Sequence, residues 1–479
     1  MSTAPAFRAY NYFYGASLLF ARKSIVRVEY IVQRVRITSG LTALGLLMAA
    51  AAFVHAQPGI QLPPLPSDMG PQPYRLGPPK KILDRYPENP SLPPTFTISV
   101  GPLGFSVPGK NYLLRRESLV SLDFLDENRI LFTFRAPGLI LREAADRSND
   151  QKQQIQALVL SLPGGKIDSR AAWTVPGRSR YLWMLNDGHF LLHVPDGLDE
   201  GDAQLQMNPY LRMPGRLLWI EMDPEQQVMI TNSLEPAMQS RNVGESGPLV
   251  TGPPAATTEG QKPDAQSVLV ARTQNLASGK EMLVSRVPWT NQTNDWPMNS
   301  EGYLETSQDN PNQWFLTLHS FSGGDRVLTR AVSLCPPEYN FVSDSELLLA
   351  ACDPETGWKL GAMLTSGLSL WETQTATNVM RPLLVTAPNS SRVARETLLL
   401  KRSVDRYKRM IGVADLQGQI VKVFNAADGK MVLESPLAPI LDGGGNVAIS
   451  PSGQRVAILN AGAIQVFQLP APPPVPGSH

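Results

Sequence analysis

The chain has 479 residues, 42% hydrophobic and 18% charged, which is enough to bury one large core or two ordinary ones and too apolar for a disordered polymer. Its formal charge of +1 excludes a large electrostatic footprint for nucleic acid. The 37 glycines and 43 prolines favour many turns over long helices.

In chain order, residues 1–36 are basic, with Arg22, Lys23, Arg27, Arg34 and Arg36 among others against the single acid Glu29. Leu41 to Val54 is a nearly unbroken apolar run ending in Val54-His55-Ala56. Small residues at the last and third-last positions mark a cleavage site, and the run is too short to span a bilayer as a helix. The expectation is a secretory signal over 1–56, cut after Ala56, giving a secreted or periplasmic protein. The long basic stretch fits a start assigned too far upstream, with Val28, Val32 or Val35 as the true one. The alternative is an uncleaved anchor holding the protein on the membrane, facing the periplasm. Residues 57–97 are crowded with prolines, such as Pro63, Pro64, Pro66, Pro78 and Pro79, and read as a polyproline-type linker. Proline density returns in a tail over 470–479, so the folded part is expected over 98–469.

Within 98–469, short apolar runs meet across Asp126-Glu127-Asn128, Asn186-Asp187-Gly188, Ser343-Asp344-Ser345 and Pro451-Ser452-Gly453. These centres lie about one, three and two repeats apart for a repeat of roughly fifty residues. A second family of turns is expected at Pro163-Gly164-Gly165, Asp223-Pro224-Glu225, Ser322-Gly323-Gly324 and Asp428-Gly429. The clearest unit is Gly412–Leu469, in which five short runs carry apolar residues on both faces, as at Val421, Val423 and Phe424. Strands buried on both faces need cover on both sides, which radially stacked blades supply. The fold class expected is all-β, a single β-propeller of about seven four-stranded blades. If the last blade lacks a strand, residues 95–100 could supply it and close the ring. Residues 232–265 read as a loop or long connection.

Asn425-Ala426-Ala427-Asp428-Gly429-Lys430 followed by Ser450-Pro451-Ser452-Gly453 resembles the WD40-like and YVTN-type repeats of bacterial propellers, with Ser452 where Asp is usual. Trp-Asp dipeptides do not occur, and Gly188-His189 stands alone among the blade-like runs. The resemblance implies architecture and leaves partner specificity open.

Candidate chemistry is sparse. Cys335 and Cys352 are the two cysteines, and an even pair in an exported chain points to a disulfide between neighbouring strands of a blade; two buried thiols are the alternative. His189 and His193 in HFLLH follow a turn and so sit on a strand, too far apart for one zinc. Asp196, Asp199, Glu200 and Asp202 match no calcium loop and read as a solvated acidic turn. Arg392, Arg395, Lys401, Arg402, Arg406, Lys408 and Arg409 read as the solvated face of a hairpin. Gly104 to Lys110 approaches a phosphate loop but continues with Asn111, and reads as a turn. The stretch 286–314, with Trp289, Trp296, Tyr303 and Trp314 among many amides, is the one nominated for recognition, since flat aromatic faces and amides suit sugars or peptides. The alternative is an ordinary insertion whose tryptophans pack on a blade. No catalytic residue, metal site or cofactor is nominated. The reading is an exported non-catalytic propeller that binds or scaffolds a protein or polysaccharide partner. The alternatives are a propeller lactonase, hydrolase or quinoprotein-like oxidoreductase with a central-channel site, and a tethered periplasmic assembly subunit.

Overall fold

The computed structural model describes residues 91–109, 117–140, 152–177, 179–213, 215–236, 267–276, 278–279, 281–288, 296–353, 357–374, 382–386, 391–401 and 411–471. The signal segment, residues 57–90 of the linker, Lys110, Trp289, residues 402–409 of the basic run and the tail from 472 lie outside them.

Among the described residues the strands form seven antiparallel sheets, the blades of a propeller. The first strand in the chain, β1 (Phe96–Ser99), belongs to the last blade. Blade 1 is β2 (Val120–Asp126), β3 (Arg129–Ile140), β4 (Gln153–Ser161) and β5 (Lys166–Val175). Blade 2 is β6 (Leu182–Met184), β7 (Phe190–Val194), β8 (Gly197–Gly201) and β9 (Met207–Arg212), and blade 3 is β10 (Arg216–Met222), β11 (Val228–Pro236), β12 (Ser267–Asn275) and β13 (Glu281–Pro288). Blade 4 has β14 (Gly302–Asn310), β15 (Gln313–Ser320) and β16 (Asp325–Val332). Its innermost place is taken by a stub in which Met298 bridges Tyr303 and the Leu304 N–H donates to Pro297 O at 2.8 Å, so the four-strand plan holds here too. Blade 5 is β17 (Glu338–Ser343), β18 (Glu346–Asp353), β19 (Gly357–Leu364) and β20 (Ser369–Gln374), and blade 6 is β21 (Leu383–Thr386), β22 (Arg392–Leu400), β23 (Leu416–Asn425) and β24 (Met431–Leu437). Blade 7 is β25 (Val447–Ile449), β26 (Arg455–Asn460) and β27 (Ala463–Gln468), completed on the outside by β1.

The expected closing strand is therefore found: Phe96 to Ser99 pair antiparallel with Val466 to Ala463. Ile98 then packs beyond its own sheet, with blade 1 residues such as Leu160 and Phe132. A Cβ on Gly165 would lie 2.6 Å from Ile98 Cγ2, and Gly165 has φ +67°, so only glycine suits that turn.

Three expectations are corrected. The unit Gly412–Leu469 is not one blade, because β23 and β24 close blade 6 while β25 to β27 open blade 7. Cadence along a strand does not say where one sheet ends, since the nine residues linking β24 to β25 fall within the range of the hairpin connections around them, two at β26–β27 and fifteen at β22–β23. The Asp223 turn joins an innermost strand to its neighbour and so belongs with the first family. The Asp223 carboxylate accepts the N–H groups of Glu225, Gln227 and Val228 at 3.1, 2.7 and 2.6 Å. Residues 232–236 are strand, not loop, and pair with both β10 and β12 or with β12 alone.

Turns of the first family clasp the next blade. Ser452 N–H donates to Glu127 Oε1 at 2.8 Å, Gln226 Oε1 accepts the Asn186 N–H at 2.6 Å, and Asn299 Nδ2 donates to Asp344 O at 2.8 Å. Cys335 and Cys352 are joined, Cα–Cα 5.8 Å. The bridge does not link two strands of one blade as expected: Cys335 follows β16 of blade 4 and Cys352 lies on β18 of blade 5. Buried Ser333 organises the junction, accepting the Cys352 N–H at 2.9 Å and donating to Cys335 O at 2.6 Å.

Ile98→Ala is expected to cost about 2–5 kcal/mol in urea unfolding, the range for a buried Ile truncated, whereas exposed Val107→Ala should change little. Cys335→Ser should lower stability by about 3 kcal/mol, the value for a loop of this size, and its blade 4–5 segment should exchange amide protons faster than blades 1 and 2.

Candidate functional site

Blade 4 is buried less evenly than blade 6. In blade 6, β22 is buried along nearly its whole length, on both faces. In β15 and β16, Leu316, Leu318, Leu328, Thr329 and Ala331 are buried and the other residues are part or fully exposed. The buried face packs on blade 5 through Phe341, Leu347 and Met363. The opposite face carries Tyr303, Glu305, Thr317, His319, Asp325 and Val327, and looks towards blade 3. Among the described side chains, apolar contact across that seam lies in its inner part, where Val228 and Ile230 of β11 meet Met298, Tyr303 and Phe321.

The seam holds a continuous aromatic run. Trp219 of β10 meets Trp296 edge-on at 5.9 Å and 81°, Trp296 meets Tyr303 at 5.1 Å, and Tyr303 stacks on His319 at 5.0 Å and 25°. Phe321 lies 6.4 Å from Tyr303. Trp219 reaches this face through a β-bulge between Leu217 and Trp219, which resets the alternation of β10. Leu217 therefore packs towards blade 2, while Trp219 comes opposite Asn232 on the blade 4 side. His319 is held between two carboxylates, Nδ1 2.8 Å from Asp325 Oδ1 and Nε2 3.0 Å from Glu305 Oε2. Burial raises the Tyr303 hydroxyl above its ordinary pKa, helped by the charges of Glu305 and Asp325.

Asn232 is fully buried, yet neither its side-chain nitrogen nor its oxygen has a hydrogen-bond partner, and the indole N–H groups of Trp219 and Trp296 are likewise buried and unpartnered. Buried polar groups are ordinarily satisfied, so these four atoms stand out, as do Glu396 Oε1, Thr397 Oγ1 and Asn446 Oδ1 around blades 6 and 7.

Of the nominated aromatics, Trp296 and Tyr303 thus come together. Trp314 does not join them: its indole donates to Ser333 O at 2.9 Å, at the blade 4–5 junction. Trp289 lies outside the described residues. The stretch 296–314 is no insertion, since it builds the inner half of blade 4. Trp219, Asn232, His319 and Phe321 were not legible as partners, because the bulge and the blade contact that gather them leave no spacing in the sequence.

Other candidates resolve individually. His189 bonds Glu200 at 2.8 Å, while His193 sits on β7 with its pKa pushed down to about 4 by burial and by Arg216. Asp196 and Asp199 flank Arg212 at 3.1 and 2.6 Å, and Asp202 accepts the N–H groups of Gln204 and Gln206 at 2.9 Å. The chain turns at Gly101–Leu103, capped by Gly104 at φ 95°, while residues 105–109 are irregular rather than the turn expected, and Lys110 lies outside the described residues. The basic run is not a solvated face: Arg392 and Arg395 are buried on β22, Arg392 donating to Pro470 O and Arg395 lying over Phe424, and only Lys401 of the described members is exposed. On innermost β2, Asp123 accepts from Ser121 Oγ at 2.5 Å, and burial raises its pKa against that bond and the Arg180 charge.

The sequence matches no protein-family profile, and it matches no curated protein. Among solved structures, the acylaminoacyl peptidase of Pyrococcus horikoshii is similar at TM-score 0.41 and 10% identity, covering 71% of this chain and 48% of that one. This chain thus spans about half of the peptidase. An uncharacterized protein of Listeria monocytogenes gives 0.43 and 10%, covering 77% and 99%, and the propeller domain of the Trilobed protease from Pyrococcus furiosus gives 0.39 and 9%, covering 76% and 99%. Likenesses of this size tie the chain to no activity.

Glu396 of β22 lies against blade 7 and is pushed up to about 8 by burial, with Gln419 Nε2 donating to it at 3.2 Å. The native state keeps this proton between the ordinary 4.5 and about 8, where the unfolded chain has lost it, so Glu396 makes stability fall as pH rises through that window. Glu396→Gln should flatten this part of the dependence and raise the urea midpoint at pH 8 relative to pH 4, read from unfolding curves across the range.

Proposed function

We propose that the chain is a non-catalytic binding module that holds a protein or polysaccharide partner in the blade 3–4 seam. The reading is carried by the partly buried aromatic run of Trp296, Tyr303 and Phe321 beside the unpartnered amide of Asn232. Aromatic faces supply contact area with little side-chain entropy to lose, and a sheet face holds them rigid. Export to the periplasm or beyond is part of this proposal, resting on the apolar run ending at Ala56 and on the resemblance of 425–430 and 450–453 to YVTN-type bacterial repeats.

The test is intrinsic tryptophan fluorescence of the full chain, titrated with soluble polysaccharides and with peptides of both charge signs. Trp296→Ala combined with Tyr303→Ala should weaken whatever binding is found by about tenfold or more, as loss of a central aromatic anchor does. Trp314→Ala should lower the melting temperature and leave affinity alone, because its indole serves the blade 4–5 junction. Unchanged affinity in the double variant would remove the seam from the function. Turnover of a lactone or ester, abolished by Asp123→Asn, would replace this reading with that of a channel-site enzyme.

A further inference from the structure

Blade 4 leaves part of one sheet face open, and the charge on that face narrows the partner, given that the binding reading above holds. From the register of the blade, Tyr303, His319 and Asp325 form one cross-strand row and Glu305, Thr317 and Val327 the next. The side chains of Glu305 and Asp325 are 48% and 67% exposed, and Val327 is 37% exposed. A partner can therefore reach these groups from solvent without entering the buried inner part of the seam.

The face is negative whichever way its histidine is protonated. His319 Nδ1 is hydrogen-bonded to Asp325 Oδ1 at 2.8 Å, whereas Nε2 lies 3.0 Å from Glu305 Oε2 outside hydrogen-bond geometry. A neutral imidazole carries one N–H and leaves both negative charges uncancelled, and an imidazolium cancels one of the two. Neither carboxylate pairs with a lysine or arginine, and across the seam Ile230, Asn232 and Ala271 bring no charge. The Tyr303 hydroxyl sits in the same field, its pKa raised by burial first and then by Glu305 and Asp325. Arg326 turns to blade 5, bonded to Thr365 O and paired with Glu301 at 3.0 Å. Arg330 lies over Phe315 at 4.9 Å, one row beyond Thr317 and Val327, so the negative charge is concentrated at the His319 end of the face.

The two carboxylates stand on opposite sides of the imidazole, a ring width and two contacts apart, close to the roughly 7 Å between side chains i and i+2 of an extended chain. Between them, Thr317 and Val327 offer a surface on which the methylenes of lysine or arginine can lie. A neutral glycan would leave the charges uncompensated, and an acidic segment would be repelled. We infer that the open blade 4 face of the seam docks an extended basic segment of a protein partner, with Glu305 and Asp325 receiving lysine or arginine side chains at alternate positions.

The experiment is fluorescence anisotropy of short labelled probes titrated with the full chain: a peptide of lysine alternating with serine, its glutamate counterpart, and a chitosan oligomer as a cationic probe that is not a peptide. The lysine peptide is expected to bind more tightly than the glutamate peptide, and to lose about fivefold in affinity from roughly 0.05 to 0.5 M salt, over which the Debye length falls about threefold. Glu305→Gln combined with Asp325→Asn should weaken it about fivefold, the worth of two exposed ion pairs, at an unchanged melting temperature. Glu301→Gln, whose carboxylate serves Arg326, should bind as wild type. Glu305→Lys combined with Asp325→Lys should reverse the preference towards the glutamate peptide, and serves if the neutralised variant does not fold. Equal affinity for the two peptides, or affinity indifferent to salt, would overturn the basic-segment inference. Wild-type affinity in the neutralised variant, or an equal loss in Glu301→Gln, would overturn its placement on blade 4. Binding of chitosan without the lysine peptide would replace the protein partner by a cationic glycan. If no charged probe binds, yet another ligand is detected by tryptophan fluorescence and lost in the Trp296→Ala, Tyr303→Ala variant, this inference fails and the binding reading stands. Binding of nothing by either method removes both.

Discussion

The structure depends on one packing constraint: each blade has two apolar faces and must press both against neighbours, so the sheets are stable only as a closed ring. Closure places the first strand of the chain on the outside of the last blade, where Phe96 to Ser99 pair with β27. It also fixes how neighbours meet, through an apolar seam along the strands and a clasp at each first-family turn. Glu127, Gln226 and Asp344 play the same part in three different blades, each accepting an N–H from across the boundary. No helix among the described residues is long and apolar enough to cross a membrane.

Against that constraint, the seam between blades 3 and 4 is an exception. Among the described side chains its apolar contact lies at the inner strands, and beyond them blade 4 carries polar side chains on that face. An ordinary seam would bury this face with leucine and valine, as the blade 6–7 seam does with Val421, Val423, Val447 and Ile449. Unsatisfied buried groups reduce stability without adding contact, and Asn232, Trp219 and Trp296 share that state with Glu396 and Asn446 on blades 6 and 7.

Buried charge is handled differently on the far side of the ring. On β22, alternate residues look to opposite neighbours: Arg395 lies over Phe424 towards blade 5, and Glu396 faces blade 7, where Gln419 joins it to Leu441 and Asn446. Gln419 accepts the Leu441 N–H at 2.9 Å and donates to Leu441 O at 3.0 Å, so one amide fixes the link between the two blades. A polar network that is mostly satisfied specifies which blades meet, and it makes their contact sensitive to the protonation of Glu396.

What the sequence determined by itself was everything local or periodic. Short apolar runs with both faces apolar, Gly and Asp at turns, and recurrence near fifty residues were sufficient for an all-β propeller of seven blades, for the closing strand near residue 95, and for pairing of Cys335 with Cys352. Tertiary structure alone decided which runs share a sheet, since hairpins and blade links look the same along the chain; hence the unit 412–469 divides between blades 6 and 7, and the disulfide joins two blades. It also decided the site. Trp296 and Tyr303 were visible as aromatics, but their partners Trp219 and Asn232 lie more than sixty residues away and reach them by a single-residue bulge at Leu218 and by packing of two separate sheets. Arg392 and Arg395 read as surface because charge predicts exposure on average, whereas only their position on an interior strand, with a carbonyl or a ring as partner, makes their burial tolerable.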